Sequence, residues 1–111
     1  MPGNNRSRRL LDLLAGGLHQ ASLDTLSREF DALAQDTSEF LPFFVLHHVC
    51  RRLSTALEGE AVSLPRFREL TGGLAVQMTA ILTALDVGKP VAADLERLVA
   101  SLFENLALFR S

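Results

Sequence analysis

Apolar residues recur at three- and four-residue steps along nearly the whole chain, the spacing that gathers them on one side of an α-helix. No stretch alternates apolar and polar positions for long, and β-branched residues are sparse, so strands have little support.

The pattern divides into helical segments. From about Arg6 to Ala15, Leu10, Leu11 and Leu14 share a side, and Leu18 continues it past Gly16-Gly17, which bends or ends the segment. A second helix is expected to start at Ser22 as its N-cap, with Leu23, Leu26, Phe30 and Leu33 opposite Asp24, Arg28, Glu29 and Asp31. Asp36-Thr37-Ser38 reads as a turn and cap cluster. A long helix follows, starting between Ser38 and Leu41 because Pro42 fits only a first turn, and ending near Glu58 before Gly59. Its expected core face is Phe43, Leu46, Val49, Cys50, Leu53, Ala56 and Leu57.

Ser63-Leu64-Pro65 starts the next helix, and Thr71-Gly72-Gly73 either bends it or lets another helix approach closely. From Leu74 to Leu85 there is no charge, as expected for a helix buried on several sides or at a subunit interface. Asp86-Val87-Gly88-Lys89-Pro90 is a break. The last helix carries Val91, Leu95, Leu98, Val99, Leu102, Leu106 and Phe109 as a wide stripe, with Asp94, Arg97, Ser101, Glu104 and Asn105 facing away. The expected fold is an all-α, compact bundle of four to five helices, a single domain over residues 1–111, dimeric, with residues 1–5 disordered.

Composition narrows the function. A net charge of −2 argues against nucleic acid as the general partner, since such binding rests on cations neutralising phosphates. Cys50 is the one cysteine, so the chain has no internal disulfide, and a reducing, cytoplasmic setting follows. Arg6, Arg8 and Arg9 precede a leucine-rich stretch, but Asp12 and Gly16-Gly17 interrupt it, so it reads as an amphipathic helix and not as an export signal. No apolar run approaches the ~20 residues of a membrane span.

The densest chemistry runs from Phe40 to Arg52. With the core face set by Leu46, Val49 and Leu53, the residues Phe40, Leu41, Phe44, His47, His48 and Arg51 fall on the other side of the helix. Either the N-terminal helix covers Phe40 and Phe44 within the chain, or the aromatic pair beside Arg51 and Arg52 is a protein contact surface. Phe40, Phe44, His48, Arg51 and Arg52 form the expected protein-interaction site.

Two other chemistries have weaker signals. Arg6, Arg8, Arg9, Arg66 and Arg68 are candidates for a nucleic-acid patch, with Arg51 and Arg52 joining it if their helices adjoin. His47 and Cys50, three residues apart, are the candidate ligands for a metal or haem, yet a tetrahedral site needs three or four protein donors. The glycine pairs lack phosphate-loop spacing, and no glycine-flanked serine elbow is present. The sequence therefore points to a non-enzymatic interaction or regulatory module without a cofactor. It is expected to form a homodimer and to bind a protein partner.

Overall fold

A computed structural model describes residues 4–36, 40–59 and 62–109, with only the backbone described for residues 4–7 and 36. Five helices run in chain order: α1 (Asn4–Ala15), α2 (Gln20–Asp36), α3 (Phe40–Glu58), α4 (Leu64–Asp86) and α5 (Ala92–Phe109). There is no strand among the described residues. The first helix starts at Asn4, so the expected disorder over residues 1–5 otherwise falls outside the described residues, as do Thr37 and Ser38 of the expected turn.

Each boundary has a local cause. Gly17 takes a left-handed φ of 88°, the turn that lets the chain leave α1, and its N–H bonds the Leu14 carbonyl. Ser22 is not the N-cap of α2. His19 holds that position, and Ser22 sits three residues on. The Ser22 Oγ accepts the His19 N–H at 3.0 Å, while the Ser22 N–H reaches His19 Nδ1 at 3.5 Å. This is a reciprocal capping box with histidine in the place of the usual hydroxyl residue. Pro65 sits in the first turn of α4. At its end Gly88, φ 74°, and Lys89 donate to the Leu85 and Ala84 carbonyls, closing a Schellman motif.

Of the two roles expected for Gly72 and Gly73, close approach of another helix is not seen among the described residues. The α4 helix runs through both glycines, and a Cβ added at either would meet nothing within 4 Å. Nor is α4 buried on several sides along its length. It packs on α5, α1 and α3, yet Gly72, Gly73, Ala80 and Thr83 are exposed and Val76 is 69% exposed. Thr71, Thr79 and Thr83 turn their hydroxyls onto carbonyls four residues back, which satisfies even the buried Thr71 without a cross-helix partner.

The core joins Leu10, Leu14 and Leu18 to Leu23, Leu26 and Phe30 of α2, Leu46, Val49, Cys50 and Leu53 of α3, Phe67, Leu74, Met78 and Ile81 of α4, and Leu98 of α5. Ala56 and Leu57, expected in the core face of α3, are only half-buried, and Ser54 is buried there instead. The radius of gyration is 13.4 Å, against about 13 Å for a compact domain of this length.

Candidate functional site

The most extensive helix pairing is α2 with α3. Gln20 bonds Ser54 and Ser27 bonds His47, so seven residues forward on α2 match seven residues back on α3, and the pair is antiparallel. Buried Ser27 and Ser54 lie along the seam, small enough to let the helices close. Against expectation, His47 belongs to this seam and not to the outer side of α3. It is half-buried, with Nδ1 2.8 Å from the Ser27 carbonyl and 3.1 Å from Ser27 Oγ.

The N-terminal half of α3 presents the aromatic patch. Pro42 sits within the first turn, where its missing N–H costs no helical bond. Phe43 turns inward, 6.3 Å from Phe30 between ring centres. Phe40, Leu41 and Phe44 turn outward and are 49%, 61% and 41% exposed. Phe40 and Phe44 stack on each other at 5.1 Å, and the His48 ring stands edge-on to Phe44 at 4.4 Å. The N-terminal helix does not cover them, because α1 packs on α4 and α2.

Beside this patch a groove of about 550 Å³ opens between α3 and α5, lined by Leu41, Val45, Ala92, Leu95, Glu96, Val99 and Ala100. Leu41 belongs to both patch and groove. Glu96 is the only charge in the lining. Phe103, 62% exposed, continues the same side of α5 one turn on. Leu95 of the expected stripe is buried and Val99 half-buried, while Val45 and the exposed Phe103 have no place in the expected core or contact site. An outward Phe103 beside Ala100 was the signal that could have found this face.

The five residues expected to form one contact site have different surroundings. Phe40, Phe44 and His48 form a continuous ring cluster, and Arg52 is exposed on α3. Arg51 shares the outer side of α3 but lines a second groove, against α2, with Asp24, Ser27, Arg28, Ser54, Thr55 and Glu58.

The candidate arginines lie on different helices and have separate partners. Arg8 and Arg9 are exposed on α1, but Arg9 lies 3.6 Å from Glu29, and Arg6 has no described side chain. Arg66 is exposed at the start of α4. Arg68 donates to the Gly16 carbonyl at 2.9 Å and so fastens α4 to the α1–α2 turn.

The pairing of His47 with Cys50 also comes apart. His47 faces Ser27, while Cys50 is fully buried in the core, where burial pushes its thiol up to about 12. A buried thiol held neutral is a poor nucleophile. Among the described residues no three His, Cys, Asp or Glu side chains converge on a metal-sized space. No helix among them is long and apolar enough to cross a membrane.

No family model, curated protein or solved structure matches the chain. The site geometry alone therefore carries the functional reading.

Proposed function

We propose that this chain is a non-enzymatic protein-interaction module of the reducing cytoplasm that self-associates as a homodimer and docks a protein partner through the outer face of α3. The observation that carries this reading is the uncovered cluster of Phe40, Leu41 and Phe44, bordered by the aliphatic groove between α3 and α5. Contiguous apolar surface of this kind costs free energy in water and is relieved by burial against another protein. Stacked phenylalanines are pre-ordered anchors, because each is held by its neighbour before any partner arrives. His48 and Arg52 supply a polar, cationic rim.

The test is native mass spectrometry with sedimentation velocity on the unaltered protein and on Phe44→Glu. The unaltered protein is expected to run as a dimer. In the variant the dimer should weaken by at least ~30-fold, the effect of losing a ~2 kcal/mol aromatic anchor. Because the position is exposed, the helical circular dichroism should stay unchanged. A monomeric unaltered protein, or a dimer indifferent to Phe44→Glu, overturns the assignment.

A further inference from the structure

The groove between α2 and α3 lies two turns farther along α3 than the aromatic patch and has a different chemistry. Its volume is about 340 Å³, and every side chain that lines it is polar or charged. Its floor is already satisfied. Ser54 Oγ donates to Asp24 Oδ1 at 3.2 Å and accepts from Gln20, while Ser27 Oγ is paired with His47. Its walls are not. Among the described residues, the side chains of Arg28, Arg51 and Glu58 make no ion pair or hydrogen bond, although opposite charges line the same groove.

The charges are sorted along the groove. Take the Asp24–Ser54 cross-link as the origin. Arg28 lies one turn on along α2, and Arg51 lies almost one turn back along α3. In an antiparallel pair both steps run in the same direction, about 5 Å. Glu58 lies one turn the other way. Two guanidiniums therefore mark one end, Asp24 the middle and Glu58 the other end. Two like charges at one end of a small polar hollow attract an anion, and guanidinium forks suit a carboxylate. The carboxylates beyond them suit an ammonium. The volume sits at the small end of ligand pockets, roughly 300–1,000 Å³, and the lining is mainly polar.

We propose that this groove binds a small zwitterion of the amino-carboxylate class, its carboxylate on Arg28 and Arg51 and its ammonium toward Asp24 and Glu58. The site does not depend on the aromatic patch, so either assignment can fail while the other stands.

The experiment titrates the full chain with 6-aminohexanoate, hexanoate and inorganic phosphate, followed by amide chemical shifts and calorimetry. The amino acid should give saturable shifts at the Ser27, Ser54 and Thr55 amides, with hexanoate and phosphate weaker by at least about tenfold. Arg28→Gln and Glu58→Gln should each weaken the amino acid by a similar factor. The absence of saturable shifts overturns the proposal. So does hexanoate or phosphate binding as tightly as the amino acid, which would mark a plain anion site, and so does indifference to both substitutions. The comparison of probes on the unaltered protein decides the matter even where a variant misfolds.

Discussion

Cys50 shows how position overrides residue chemistry. A thiol is reactive as its thiolate, and the core around Cys50 removes the water that would solvate that charge. Its ionisation is displaced from the ordinary 9.0 to about 12. In the unfolded chain the thiol ionises near its ordinary value, so between these two values the unfolded state has lost a proton that the folded state keeps. Stability from this group is fully present below pH 9.0 and is lost as pH rises toward 12. Folded protein at pH 8 should resist a thiol-labelling reagent and react fully once denatured. Cys50→Ala should flatten the alkaline loss of stability measured by urea denaturation between those pH values. Rapid labelling of the folded protein would show that Cys50 is not enclosed.

At the scale of elements, α4 is the least expected helix. It has no charge from Leu74 to Leu85, yet one side of it meets solvent. Its glycines lie on that side in helical conformation, and a Cβ at either would meet nothing within 4 Å. Glycine there only adds backbone freedom to the unfolded chain. Gly73→Ala should therefore raise stability by about 0.5–1 kcal/mol, and Gly72→Ala by a similar amount, in chemical denaturation. A loss of stability instead would mean that the glycines serve a contact made outside the single chain. By contrast, Gly17 has a left-handed backbone and the Arg68 guanidinium against it, so the same substitution there is strained.

For the whole molecule, closure depends on α1. It packs on α4 and α2, and so joins the helix that opens the α2–α3 hairpin to the one that follows it. Leu10 and Leu14 are buried in that junction, and Arg68 reaches across to the Gly16 carbonyl. Leu10→Ala should cost about 2–5 kcal/mol, lowering one cooperative midpoint shared by near- and far-ultraviolet circular dichroism. A second transition, with α2–α3 melting apart from the rest, would show that α1 is not part of the cooperative unit. This placement of α1 is also what leaves Phe40 and Phe44 bare and makes α3 the face offered to a partner.

The all-α class, the long α3, the break at Gly88 and most of the core were legible along the chain, because helical periodicity and glycine or proline punctuation act within a few residues. The sequence also marked Phe40 and Phe44 as odd, since they fall opposite Leu46, Val49 and Leu53 on one helix. Whether another helix covers them is settled by the packing of α1, which local patterning does not encode. The tertiary structure likewise moved His47 into the α2–α3 seam, made Ser22 a partner of His19 in a cap, and set Arg51 at the wall of a second groove. Asp24, Arg28, Arg51 and Glu58 are spread over 35 residues and read singly as solvated surface. They become one charge-sorted groove only because two antiparallel helices fix their register, which the period within either helix does not encode.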